Sequence, residues 1–252
     1  MKLPHFLSSY LKQSRDLLET HGEDRAMSLA VGGDFEAVGA LEFCLLKQLG
    51  LAPDHSVIDV GCGSGRLAMQ LRSYLLGPYV GIDVVPELYE YARKQCARED
   101  WRFYAAPGTR IPEPNDSADF VVFFSVFTHL LHEETYRYLR EAARTLKPGG
   151  KIVFSFLEFG IPSHWFIFEH SVADERADKV LNQFMDRDLI RAFATHLGLQ
   201  VLELHDGHLP HIALDRSIRW DSGKEMSGSG NLGQSVAVLV KPIQAASSSA
   251  PA

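Results

Sequence analysis

Apolar residues in this chain recur in two rhythms, a helical one first and then strand and helix in alternation as far as residue 241. Leu7, Tyr10, Leu11, Leu17 and Leu18 give one face to a helix predicted over 6–20. Phe35, Val38, Leu41, Leu45 and Leu49 give a face to a second, with Asp34 as its expected N-cap and Gly50 as its stop. Ala30-Val31-Gly32-Gly33-Asp34 lies between them, and its glycines read equally as a plain turn or as backbone brought close to a ligand. Short β-branched runs then predict strands at 56–60, 79–82, 102–105, 119–125, 151–157, 200–204 and 235–241. Helical spacing separates them: Leu67, Leu71, Tyr74, Leu75; Leu88, Tyr91, Ala92, Cys96; Tyr136, Leu139, Ala143, Leu146; and Leu189, Ile190, Phe193, Leu197, the last begun by Asp186 and closed by Gly198. The run from Phe120 to Phe127 is too short to cross a bilayer and reads as a buried central strand. Such alternation predicts an α/β fold, a mostly parallel sheet with helices on both faces.

Two stretches break the rhythm. Residues 158–185 are aromatic at Trp165, Phe166 and Phe168 and then charged; residues 205–233 begin rich in histidine and finish rich in Gly and Ser. The expected organisation is a helical prelude over 1–50, an α/β domain over 51–241, and a small-residue tail over 242–252 that should be disordered.

The chemistry concentrates where the first strand stops. Val57-Ile58-Asp59-Val60-Gly61-Cys62-Gly63-Ser64-Gly65-Arg66 runs from strand through a glycine elbow into a helix, and the next strand ends on Asp83. A strand, an elbow, a helix and a strand tipped by a carboxylate form a nucleoside-cofactor site, the acid reaching the ribose hydroxyls. The spacing is G-x-G-x-G, and Arg66 stands where a dinucleotide fingerprint wants glycine or alanine, which points to a cofactor without a pyrophosphate and away from NAD.

This stretch resembles the first motif of class I S-adenosylmethionine-dependent methyltransferases. Two later pieces agree with it: Asp119-Phe120-Val121-Val122-Phe123-Phe124-Ser125-Val126-Phe127, and Leu146-Lys147-Pro148-Gly149-Gly150 before a strand. The resemblance runs from about Leu49 to Lys241. It implies a Rossmann-like seven-stranded sheet of order 3-2-1-4-5-7-6 with strand seven antiparallel, and a prelude packed over the cofactor cleft. It implies S-adenosyl-L-methionine as cofactor and S-adenosyl-L-homocysteine as product. The residues expected around the cofactor are Asp59, Gly61, Cys62, Gly63, Gly65, Asp83, Val84, Ser125 and Phe127. Asp59 either accepts hydrogen bonds from the loop or meets the ammonium of the methionine tail. One departure is Pro107, which stands where relatives often carry an acid for the adenine amino group.

His129 is the titratable side chain of the neutral range near the end of strand four. It takes a proton from an acceptor, holds its loop or, as the resemblance implies, contacts the cofactor. The acceptor site is expected in the prelude, in 158–185 and in 205–233 acting as a lid, with His164, Trp165, Glu169, His170 and Trp220 as candidates. His208 and His211 read as solvated loop histidines, and no metal is expected. The implied reaction is methyl transfer to a small-molecule acceptor by in-line displacement, oxygen slightly favoured over nitrogen. No Asn-Pro-Pro-Tyr element follows strand four, which argues against exocyclic-amine nucleic-acid enzymes. The alternatives are a cofactor-binding module or partner subunit without catalysis, and an aminopropyl-transfer enzyme on the same fold.

Composition adds limits. Lys and Arg number 25 against 32 Asp and Glu, a formal net charge of −7, so no nucleic-acid partner is expected. The three cysteines, Cys44, Cys62 and Cys96, have no metal or disulfide spacing and fit a reducing, cytoplasmic setting. Neither a signal-like leader nor a membrane span is expected.

Overall fold

The computed structural model describes residues 5–105, 108–176 and 179–243, with the side chains of 5–9 and 13 left aside. Three helices come first: α1 His5–Thr20, α2 Glu23–Ala30 and α3 Phe35–Gln48. Then follow β1 Val57–Val60, α4 Arg66–Leu71, β2 Tyr79–Ile82, α5 Pro86–Cys96, β3 Arg102–Tyr104 and β4 Ala118–Phe123. A 3-10 turn at Phe127–His129 leads to α6 His132–Thr145, β5 Leu146–Phe156, α7 Pro162–Ala173, α8 Arg187–His196 and β6 Gln200–His205. Four two-residue strands, β7 Ile212–Ala213, β8 Ile218–Arg219, β9 Glu225–Met226 and β10 Ser229–Gly230, precede β11 Ser235–Val240.

The main sheet has the order β3-β2-β1-β4-β5-β11-β6, with β11 antiparallel to both neighbours. This is the implied seven-stranded order, β11 taking the seventh place. Its central strands are buried on both faces, and alternate residues divide between two cores. Val57, Tyr79, Phe120 and Val153 pack with Leu41, Leu45 and Leu71 of α3 and α4. Ile58, Val121, Phe123 and Phe154 pack with Leu139 of α6 and Ile190 of α8. Helix α3 thus shares one core with the sheet, and the line expected at residue 50 separates no packing unit.

Several local readings need correction. Asp34 sits in the left-handed region at φ 47° and makes no side-chain cap on α3; its carboxylate instead accepts the Asp221 N–H at 2.8 Å. Helix α2 lies inside a stretch read as connection, because its eight residues span only about two turns and bury only Ala26 and Met27. Helix α7 lies in the stretch read as irregular. It buries only His164 and spreads its apolar residues around its circumference, so it has no helical signature beyond Pro162 in its first turn. Residues 205–233 form two small antiparallel ladders, β7 with β10 and β8 with β9, laid against α3. The position of Pro107, and the tail from 244 onward, lie outside the described residues. Among the described residues no helix is long and apolar enough to cross a membrane.

Candidate functional site

A cavity of ≈ 380 Å³ lies at the C-terminal ends of β1, β2 and β4. In open α/β sheets this is where ligands sit. Asp59, Gly61, Cys62, Gly63, Asp83, Val84 and Ser125 all line it. Gly65 does not. At φ 90° it begins α4 against α5, where an added Cβ would stand 2.8 Å from Ala92 Cβ, so it serves helix packing. Phe127 does not line it either. Its ring is fully buried, stacked on Phe123 with centroids 4.5 Å apart and 5.0 Å from Phe154, because the 3-10 turn swings it back into the core. Phe124 and Val126 reach the cavity instead.

The carboxylate of Asp83 ties the elbow to the turn that follows β2. Its Oδ2 accepts the Gly63 N–H at 2.8 Å and its Oδ1 accepts the Val85 N–H at 2.9 Å. Burial pushes its pKa above the usual carboxylate range, and these backbone donors pull against that shift. A carboxylate has about four acceptor positions, so capacity remains for a ligand hydroxyl. Asp59 accepts the Tyr79 O–H at 2.7 Å, and burial raises its pKa to about 7.

Two further charged residues line the cavity, Glu42 from α3 and Arg66 from α4. Arg66 donates to Glu42 Oε1 at 2.6 Å and to the Val31 carbonyl at 2.8 Å. Burial raises the Glu42 pKa, while the guanidinium lowers it. Sequence reasoning passed over Glu42, although an acid inside the apolar run Leu41 to Leu46 was a signal.

Tyr10, Leu29, Ala30, Val31 and Gly32 roof the cavity from the N-terminal side. The roof is seated on the elbow: Ser64 donates to the Met27 carbonyl at 2.8 Å, and a Cβ on Gly63 would stand 2.5 Å from Val31 Cγ1.

At the β4 end, His129 borders the cavity, its ring edge-on to Tyr10 at 5.2 Å. His129 Nδ1 lies 2.8 Å from the Leu181 carbonyl. A carbonyl only accepts, so Nδ1 carries the proton and Nε2 is the basic nitrogen. Burial lowers the His129 pKa, and the hydrogen bond to Leu181 opposes the shift.

None of the acceptor candidates lines the cavity. His164 is fully buried; its Nδ1 accepts the Glu158 N–H at 3.1 Å and its Nε2–H donates to the Gly233 carbonyl at 2.9 Å. Both nitrogens tie chain to chain. Trp165 donates to Glu169 at 3.1 Å on the exposed face of α7, and His170 donates from Nδ1 to the Phe166 carbonyl at 3.0 Å. Trp220 packs on the core beside α3. His211 stacks on His205 at 4.3 Å, and His208 stands outside the cavity lining. The first irregular stretch reaches the cavity through Val180, and Gln234 reaches it from the single residue between the second stretch and β11; the sequence singled out neither. Among the described residues no group of three or more His, Cys, Asp or Glu is placed to hold a metal ion.

Residues 58–154 match the model of a family described as a methyltransferase domain. Over 103 residues the chain is 33% identical to ribosomal protein L11 methyltransferase of Burkholderia ambifaria, covering 41% of this chain and 32% of that protein. Over 107 residues it is 31% identical to demethylmenaquinone methyltransferase of Tropheryma whipplei, covering 42% and 44%. The match spans less than half the length of either relative. Among solved structures, magnesium protoporphyrin IX methyltransferase from Synechocystis PCC 6803 with bound SAH superposes with a TM-score of 0.62 at 14% identity, covering 93% of this chain and 97% of that one. The complex of Haloferax volcanii Trm112 methyltransferase activator with a methyltransferase gives a TM-score of 0.61 at 20% identity, covering 96% and 98%. Sheet order, elbow and strand-end carboxylate define a Rossmann-like domain of the class I methyltransferase type. Within that fold, residues 58–154 are the part of the chain that matches a methyltransferase domain.

Proposed function

We propose that the protein transfers the methyl group of S-adenosylmethionine to an oxygen nucleophile on a small-molecule acceptor. The observation that carries this reading is one roofed cavity that joins the Asp83-braced elbow to the basic nitrogen of His129. The lining suits the cofactor: Glu42, Asp59 and Asp83 against one Arg66 leave an acid excess around a sulfonium, in a volume of the ligand-pocket range. When bound there, S-adenosylmethionine supplies an activated methyl group on a good leaving group.

The chain's own residues do the rest. The remaining acceptor capacity of Asp83 takes the ribose hydroxyls. The backbone of Gly61 to Gly63 lies along the ligand, and Glu42 or Asp59 faces the cationic tail. The roof excludes water, and alignment of nucleophile, methyl carbon and sulfur for in-line displacement lowers the barrier. His129 Nε2 takes the proton that a hydroxyl must lose, a task a neutral histidine can perform. A nitrogen acceptor, often nucleophilic without a base, would leave this residue unused.

Calorimetric titration with S-adenosylhomocysteine tests the reading. Wild type should form a one-to-one complex, and Asp83→Ala should weaken it by about tenfold or more, ~1.4 kcal/mol. Unchanged affinity in a folded variant removes Asp83 from the ribose role; no binding by wild type removes the function.

A further inference from the structure

At the cavity wall between β4 and β11, three polar side chains form a small ring. The Ser125 N–H donates to Ser155 Oγ at 2.7 Å. Ser155 is only 2% exposed, so its own hydroxyl hydrogen needs a partner inside the protein. Gln234 Oε1 stands 2.7 Å away and takes it. That contact fixes which end of the Gln234 amide faces Ser155. Gln234 Nε2 then donates to Ser125 Oγ at 3.1 Å. With these roles assigned, two hydrogens have no partner among the described residues: the hydroxyl hydrogen of Ser125 and the second hydrogen on Gln234 Nε2. Both residues line the cavity.

The backbone agrees that this is a working site. Ser125 holds φ 58°, in the left-handed region where a serine is uncommon. The ring and the Thr128 O–H, which donates to the Ser125 carbonyl at 3.1 Å, hold it there. Two donors side by side match one oxygen with two lone pairs. Four residues on, His129 offers an accepting nitrogen, which matches a hydroxyl. The charge of the lining decides between kinds of oxygen. With Glu42, Asp59 and Asp83 in the wall against Arg66, a carboxylate acceptor meets like charge, whereas a neutral carbonyl does not.

Resting on the methyl-transfer reading, we propose that the acceptor is a neutral hydroxycarbonyl compound, its hydroxyl on the carbon next to a carbonyl. Ser125 and Gln234 hold the carbonyl oxygen, and the neighbouring hydroxyl faces His129. The hydroxyl oxygen bonds the methyl carbon as the methyl–sulfur bond breaks with its electron pair on sulfur, and the hydroxyl proton passes to His129 Nε2. The product is the methyl ether beside an unchanged carbonyl.

The test uses the full chain saturated with S-adenosylhomocysteine and two probes, 3-hydroxy-4-pyranone and phenol, titrated by calorimetry. Wild type should bind the hydroxypyranone at least about tenfold more tightly than phenol, ~1.4 kcal/mol. Gln234→Leu should abolish that preference while its affinity for S-adenosylhomocysteine stays within about threefold, under ~0.7 kcal/mol. Ser125→Gly, which keeps the positive φ and removes the hydroxyl, should do the same to the preference. Equal binding of the two probes by wild type, or an undiminished preference in Gln234→Leu, overturns the acceptor assignment alone. Failure of wild type to take up S-adenosylhomocysteine overturns it together with the methyl-transfer reading.

Discussion

In the proposed reaction, His129 is the residue on which protonation and turnover meet. Its pKa lies below the usual 6.5 because burial disfavours the imidazolium. The neutral base is therefore in place at pH 7, and the acid limb of kcat/KM should fall below pH 6.5. His129→Asn should lower kcat by about a hundredfold and remove that limb. The same burial has a stability consequence. The unfolded chain takes up the proton first, near its ordinary pKa, so stability is complete above it and is lost as pH falls toward the folded value. Urea titrations at pH 7.5 and 5.5 should show the loss in wild type and a smaller one in the variant; equal slopes would show that the ring is not buried neutral. The cofactor half of this site was legible at the level of single residues because it is local. An elbow of glycines and a carboxylate at the next strand end need only adjacent elements. The acceptor half was not. Gln234 meets Ser125 across 109 residues of sequence, and nothing near either one announces the other. Phe127 shows the opposite failure: its position was read correctly on the chain, but a 3-10 turn decides which way the ring points.

Among the elements, α3 and α4 come together at one glycine. A Cβ on Gly39 would stand 2.6 Å from the backbone oxygen of Arg66, and backbone cannot swing aside as a flexible side chain can. Gly39→Ala should therefore destabilise the fold by about 1–3 kcal/mol, read from the urea midpoint. It should also weaken S-adenosylhomocysteine binding, since it shifts the helix that carries Arg66. A variant as stable as wild type would mean that the helices part at no cost. Element order and sheet order followed from alternating strand and helix patterns joined to the family resemblance. The elements that escaped, α2 and α7, share a cause. One is too short to repeat a pattern, the other has apolar residues on most sides, and neither offers a face long enough to read.

At the scale of the whole molecule, α1, α2 and the turn after them close the cavity, and the roof is gripped by Ser64 and Arg66 of the elbow itself. A ligand beneath this roof, in contact with Tyr10, Leu29 and Val31, holds it down. At about 100 Kd of S-adenosylhomocysteine, any opening that releases ligand is disfavoured by ~2.7 kcal/mol. Tryptic cleavage at Arg25 should slow by about a hundredfold under those conditions, in step with that linkage. Cleavage at Arg216, which is tied to Gln70 of α4 and not to the roof, should not change and serves as the internal control. Equal slowing at both sites, or none at Arg25, would separate the roof from the ligand.

The single reversed strand of the sheet has a consequence for how a protein of this build can diversify. Because β11 runs against its neighbours, its starting residue arrives at the same rim on which the parallel strands finish. Gln234 is thereby delivered to the reaction chamber by the last turn of a long surface excursion, while the nucleoside-gripping parts come from the first half of the chain. Rewriting that excursion, in length or in composition, would re-aim one amide and so retune substrate choice, leaving the methyl-donor grip as inherited.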